Sequence, residues 1–154
     1  MKVLAILTAV LIFADTVQWV HGSKGLPSTT GKSPLMIKVV DGVRGIPAPK
    51  LSVKLYRQQK ENKSWDLLFS NVTSEEGEIH NFITEEEFVE GIYRMELVTK
   101  NFWIKLGLTP FHEYIDVVFT ANDAGHRHYT IAMLVTPYSF SSTAVVTGPL
   151  EGHK

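Results

Sequence analysis

The chain has 154 residues, of which 44% are hydrophobic and 20% charged, with 8 Phe, 5 Tyr and 3 Trp. That is one domain's worth of chain with material for a sizeable core, which excludes multidomain machinery, disordered chains and fibrous repeats. Fifteen Lys plus Arg against sixteen Asp plus Glu leave a net charge of -1 and no basic run to follow a phosphate backbone, so no nucleic-acid partner is expected. The absence of cysteine excludes disulfides, thiolate metal sites and a cysteine nucleophile.

Met1 and Lys2 precede an apolar run from Val3 to Ala14 that Asp15 ends. This is the length of a secretory h-region and too short to span a bilayer, so residues 1–22 read as a signal peptide cleaved before Ser23. The mature chain is then expected to be secreted, extracellular and without a membrane anchor. A small secreted domain without disulfides needs another source of stability, which points to oligomerisation. Residues 23–34 are mostly Gly, Ser, Thr, Pro and Lys and read as a flexible arm. Two sequons, Asn62-Lys63-Ser64 and Asn71-Val72-Thr73, fit a secreted glycoprotein.

From Leu35 onward the dominant period is two. Strands are predicted over Leu35 to Val40, Leu51 to Arg57, Trp65 to Val72, Glu78 to His80, Gly91 to Val98, Tyr114 to Ala121, Tyr129 to Thr136 and Tyr138 to Thr147, separated by Gly, Pro, Asn and Asp turns. Between the fifth and sixth, Thr99 is placed to cap a short helix over residues 99–106 that carries Phe102, Trp103 and Leu106, with Gly107 and Pro110 as its stop. The expected fold is all-β, an eight-stranded antiparallel sandwich over residues 35–149 with one helix, followed by a tail at 150–154.

Three strands are apolar or small on both faces. Met36, Lys38 and Val40 oppose Leu35, Ile37 and Val39; Thr130, Ala132 and Leu134 oppose Ile131, Met133 and Val135; Ser141, Thr143 and Val145 oppose Phe140, Ser142, Ala144 and Val146. A second face of Thr, Ala, Leu, Ser and Val with a single charge is poorly solvated, so something should cover it. That cover is either a plain subunit interface or a ligand cavity between two such sheets, where small side chains leave volume and hydroxyls orient a guest. Periodicity leaves both open.

Common catalytic motifs are absent. His126-Arg127-His128 could present two imidazoles to Zn or Cu or form a solvated turn, and His112-Glu113 with Asp116 could be a second adventitious site or a strand's polar rim. Glu85-Glu86-Glu87 reads as a solvated acidic face, or as a run that shapes a loop for docking a partner. No cofactor or obligatory metal is expected.

Four strings carry a resemblance: Pro34-Leu35-Met36-Ile37-Lys38-Val39, Thr84-Glu85-Glu86-Glu87-Phe88-Val89-Glu90-Gly91-Ile92-Tyr93, Val117-Val118-Phe119-Thr120-Ala121-Asn122-Asp123 and Ser142-Thr143-Ala144-Val145-Val146-Thr147. In this order they resemble the transthyretin family, over about Pro34 to Pro149. The resemblance implies a prealbumin-like homotetramer, a dimer of dimers, whose central channel holds two thyroid-hormone sites for thyroxine or triiodothyronine. It places Met36, Lys38, Val40, Glu78, Thr130, Ala132, Met133, Leu134, Ser141, Thr143 and Val145 at those sites, with Lys38 on the hormone carboxylate and Glu78 on its amino group. A retinol-binding protein is a further partner that the family implies. The same fold serves 5-hydroxyisourate hydrolase, which needs two histidines, an arginine and a Tyr-Arg-Gly-Ser tail. This chain has Lys38, Thr130 and Glu78 at those three positions and Thr143-Ala144-Val145-Val146 at the tail, so an enzyme is not expected.

Overall fold

The computed structural model describes residues 33–148. The expected signal peptide, the tail at 150–154 and the expected arm, apart from Ser33 and Pro34, lie outside the described residues. In chain order the elements are β1 (Leu35–Asp41), β2 (Ile46–Pro47), β3 (Ser52–Gln58), β4 (Trp65–Val72), β5 (Glu78–Ile79), β6 (Gly91–Leu97), α1 (Thr99–Lys105), β7 (Ile115–Ala121), β8 (His128–Val135) and β9 (Phe140–Thr147). They build a five-stranded sheet, ordered β2-β1-β8-β9 with β5 also on β1, and a four-stranded sheet ordered β4-β3-β6-β7.

The β-sandwich expectation holds, with two corrections. A ninth strand, β2, folds back on β1 after the tight turn at Asp41, pairing Val40 with Pro47 and Asp41 with Ile46; the Asp41 carboxylate holds that turn by accepting from the Val43 and Arg44 amides and from Arg44 Nε. Two residues with a Pro at a sheet edge carry no period-two signal. The ladders are antiparallel except β1 with β8, where Leu35 to Asp41 run parallel to Tyr129 to Val135. A parallel pair needs a long crossover, and the whole four-stranded sheet lies in sequence between these two strands.

Alternate residues of each strand fill the space between the sheets. Leu35, Ile37, Val39, Val53, Leu55, Tyr93, Met95, Leu97, Ile131, Met133 and Val135 are all buried there. Around Phe88 the rings of Tyr93 and Tyr129 pack at 5.0 and 5.7 Å, the second edge-on. Leaving one such large side chain in water would forfeit about 1.5–3 kcal/mol, so the inner faces dictate the register.

Helix α1 buries Phe102 and Trp103, edge-to-face at 4.9 Å, while Leu106 stays 40% exposed beyond its last turn. Thr99 is not the cap: Val98 occupies that position without a side-chain bond, and Thr99 is buried with its hydroxyl unpaired. The Val98 amide is still committed to β3 at Ser52 O, so the strand ends one residue before the helix begins. The stop is as expected. Gly107 takes φ +75°, its amide bonds Ile104 O, and the Leu108 amide reaches Trp103 O, the paired bonds of a Schellman ending.

Candidate functional site

Register brings the second-face residues of four strands into three rows across the five-stranded sheet. One row is Met36, Thr130 and Val145; the middle row is Glu78, Lys38, Ala132 and Thr143; the third is Val40, Leu134 and Ser141. Ten of the eleven expected site residues therefore share one outer face. The eleventh does not: Met133 is 2% exposed and packs inward between Ile131 and Val135, because its neighbours Ala132 and Leu134 already occupy the outward positions of β8. It belongs to the core.

The face grades from charged to small. At the β5 end, Lys38 Nζ donates to Glu78 Oε1 at 2.5 Å, and Glu78 Oε2 meets His80 Nε2 at 2.8 Å. The hydrogen bond from Lys38, then that from His80, holds the Glu78 carboxyl below the usual glutamate range. Gly77 sets Glu78 in place. Its φ is +74°, its carbonyl accepts from the Val39 amide at 2.8 Å, and a Cβ there would lie 2.4 Å from Val39 O. Beyond Lys38 the rows hold only short or apolar side chains, with Leu134 46% and Val145 53% exposed.

Strand β9 is exposed along its whole length, on both faces. Its sequence, Phe-Ser-Ser-Thr-Ala-Val-Val-Thr, has no charge and no Pro, and in this sheet it pairs with β8 alone. An uncharged edge of this length is a template for pairing with another chain. Beside it stands an aromatic group that sequence reasoning did not single out. Phe111 is 71% and Tyr138 68% exposed, stacked at 6.4 Å, and the Phe111 amide is tied to Pro137 O. The signal available in the sequence was two bulky aromatics each directly after a Pro; Tyr138, expected to open the last strand, lies before β9 begins at Phe140.

The other candidates disperse or pair off. His128 Nε2 lies 2.8 Å and His126 Nδ1 3.9 Å from the two oxygens of Glu85, so this cluster ties the start of β8 to the segment before β6. Glu87 is also engaged, accepting from the Thr84 hydroxyl at 3.0 Å, so the acidic run is only partly a free face. Glu113 pairs with Lys100 at 2.6 Å, His112 packs on Phe111 and Phe140, and Asp116 faces Arg94 at 3.7 Å, its carboxyl pushed up by burial. Among the described residues no three such groups are placed to hold a metal ion. Asn62 lies in the exposed β3–β4 turn and Asn71 on β4.

A cleft of about 470 Å³ is lined by Arg57, Lys60, Lys63, Val89 and Ile92, at one end of the four-stranded sheet. It contains none of the row residues. The rows lie on an open sheet face, which becomes a cavity only when a second surface closes over it.

Comparison with known proteins adds a sequence-wide match to this geometry. The HIUase/Transthyretin family model matches residues 35–143. A protein named Transthyretin from Aquarana catesbeiana is 62% identical over 150 residues, covering 97% of this chain and 95% of that protein. The chain belongs to the HIUase/Transthyretin family. The family match begins at the first residue of β1 and ends within β9, so it covers every row residue except Val145.

Proposed function

We propose that this protein is an extracellular carrier of thyroid hormones, thyroxine and triiodothyronine, and that it acts as a homotetramer whose central channel is walled by the outer faces of the five-stranded sheets. The observation that carries this reading is the register of the three rows: a small, hydroxyl-dotted apolar surface with one lysine–glutamate pair at one end. The uncharged β9 edge and the Phe111–Tyr138 stack support assembly through that side of the sandwich, and the name of the Aquarana catesbeiana relative supports the carrier class.

An iodinated diphenyl ether is a bulky, polarizable apolar body. Closing two such faces over it removes apolar area from water at roughly 25 cal/mol per Å², before association costs are subtracted. Ala132, Thr143 and Ser141 leave room for the halogens, and the hydroxyls supply orienting bonds. The amino-acid end of the hormone is a zwitterion, and the Lys38–Glu78 pair is its complement: the carboxylate exchanges onto Lys38 as the ammonium exchanges onto Glu78, so no net charge is stranded. At a wet channel mouth each such contact contributes only about 0.5–1 kcal/mol. Affinity then comes from the apolar body and orientation from the charged pair.

The hydrolase reading of the same family is disfavoured by the chemistry of the face. General-base catalysis needs a group that titrates near neutrality and aims at the reacting centre. Lys38 is paired with Glu78, and Thr130 has no base to offer, so neither position where the hydrolase carries a histidine supplies an imidazole here. Calorimetric titration of the assembled protein with thyroxine and triiodothyronine tests the carrier reading. Saturable binding is expected, and its absence down to a Kd of roughly 50 μM would refute it. Turnover of 5-hydroxyisourate well above the uncatalysed rate would restore the hydrolase.

A further inference from the structure

The two sequons have the same three-residue pattern and opposite surroundings. We propose that Asn62 carries an N-linked oligosaccharide in the secreted protein and that Asn71 does not; the inference rests on the secretory part of the reading above.

Asn62 sits at the exposed tip of the β3–β4 turn, with exposed residues on either side. The turn is closed beneath it by Gln59 N to Ser64 O at 2.8 Å and Lys63 N to Gln59 O at 3.2 Å. Its Oδ1 accepts from both the Ser64 amide, at 2.9 Å, and the Ser64 hydroxyl, at 2.7 Å, so the acceptor amide and the sequon hydroxyl already face one another. A bulky sugar at this tip displaces nothing packed.

Asn71 is held differently. It is itself exposed, within β4 and opposite Val53, so the difference lies in the third residue of its sequon. Its hydroxyl partner, Thr73, is 2% exposed, and every polar atom of Thr73 is in use. Thr73 Oγ1 donates to Ala48 O at 2.6 Å and accepts from the Leu51 amide at 3.0 Å, its amide reaches Leu51 O and its carbonyl holds the Lys50 amide. All of these partners precede Thr73 in the chain. The contact can therefore close as soon as residue 73 emerges, on the microsecond scale of local hairpin formation, and it withdraws the hydroxyl that a transferase must bind. The Asn62 tripeptide stays open after its hairpin forms.

The reaction is an exchange at carbon. The Asn62 side-chain nitrogen attacks the anomeric carbon of a dolichol-linked oligosaccharide pyrophosphate; the new C–N bond forms as the C–O bond to pyrophosphate breaks. The lipid pyrophosphate leaves with the electron pair, one amide proton passes to a base, and nothing is oxidised or reduced.

The test is translation of the full chain into microsomes, and secretion from vertebrate cells, for the unaltered protein and for Asn62→Gln, Ser64→Ala, Ser64→Thr and Asn71→Gln, each with and without peptide N-glycosidase. One glycan's mass is expected on the unaltered chain, on Ser64→Thr and on Asn71→Gln, and none on Asn62→Gln or Ser64→Ala. A shift that survives Asn62→Gln or disappears in Asn71→Gln overturns the assignment, as does a protease-protected chain with no glycan. A chain that remains unprotected by microsomes overturns the secretory reading and the assignment with it.

Discussion

Replacing Leu134 by Glu separates the stability of the subunit from that of the assembly. Leu134 stands in the third row between Val40 and Ser141 and is 46% exposed in the isolated chain. In the subunit alone a carboxylate there keeps its water, so folding stability should stay within about 0.5 kcal/mol of the parent. In the proposed channel the outcome differs. Full burial of a leucine stabilises by about 1.5–3 kcal/mol, so covering its open half contributes about 1 kcal/mol per subunit. An unpaired carboxylate buried in its place costs several kcal/mol after relaxation. A net change of about 4 kcal/mol per subunit corresponds to nearly a thousandfold in the association constant for each substituted subunit, since each 1.4 kcal/mol is a factor of ten. Sedimentation velocity at micromolar concentration should show the tetramer lost while the far-ultraviolet spectrum and the urea midpoint of the monomer are kept. Leu67→Glu is the control: it is 55% exposed on the outer face of the other sheet, opposite Tyr56, and should leave assembly unchanged. A Leu134→Glu protein that sediments as the parent would show that the three rows face water and would remove the basis of the proposed channel.

Lys38→Ala should weaken hormone binding only two- to fivefold, the equivalent of about 0.5–1 kcal/mol for a solvated ionic contact; a loss beyond a hundredfold by calorimetry would mean that charge, not apolar burial, dominates. The Glu78 carboxyl is depressed by Lys38 and His80, so its stabilising contribution is present at neutral pH and is lost as the pH falls below about 4. Glu78→Gln should remove that part of the acid sensitivity, and acid-unfolding curves that superimpose on the parent's would contradict it. Gly77→Ala should destabilise by at least 1–3 kcal/mol, roughly the cost of a left-handed residue, with the approach to Val39 O added; an unchanged urea midpoint would sink this. Tyr129→Phe strands the buried Asn122 amide, now bonded to the phenol oxygen at 2.8 Å, and should cost about 1–3 kcal/mol in the same assay.

The strand pattern was legible because most strands have a true inner face: in β1, β3, β6 and β8 the alternation of buried and open residues follows the alternation of the sequence. The odd second face was legible for the same reason, since Lys38 among Met36, Val40, Thr130 and Ala132 is not what water selects. Four details came out differently from the sequence reading. Two-residue strands such as β2 are specified by the turn before them and by the edge they land on, which leaves no period to read. The parallel pairing of β1 with β8 is a property of sandwich closure, since either direction presents the same residues inward. Met133 was drawn into the candidate site by resemblance, whereas its own position in the alternation of β8 already placed it in the core. Thr99 matched a capping residue type, but the strand bond of Val98 settled where the helix starts and sent the threonine hydroxyl inward.

Edge protection is distributed unevenly over this sandwich, and the unevenness bears on where a second copy would dock. On one side, β4 meets β3 through a register break at Leu55/Tyr56 and carries Asp66, while the first sheet ends in the two residues of β2 with Pro47 among them. Bulges, charges, proline and short length are the devices that stop strands from adding to a sheet. On the other side the outermost strands are β9 and β7. Strand β9 has none of these devices over eight residues, and β7 has a single charge, Asp116, turned toward Arg94 on its neighbour. A monomer selected to remain alone would not keep one side guarded and the other bare. In the proposed assembly, backbone pairing of β9 with its equivalent in another copy would extend the five-stranded sheet and leave the row side chains of Ser141, Thr143 and Val145 on the face, which would then run on across the pair. Opposing two such extended faces would then enclose the apolar surface from Met36 to Val145 and leave the Lys38–Glu78 pairs toward the mouths of the proposed channel, where a charge keeps its water.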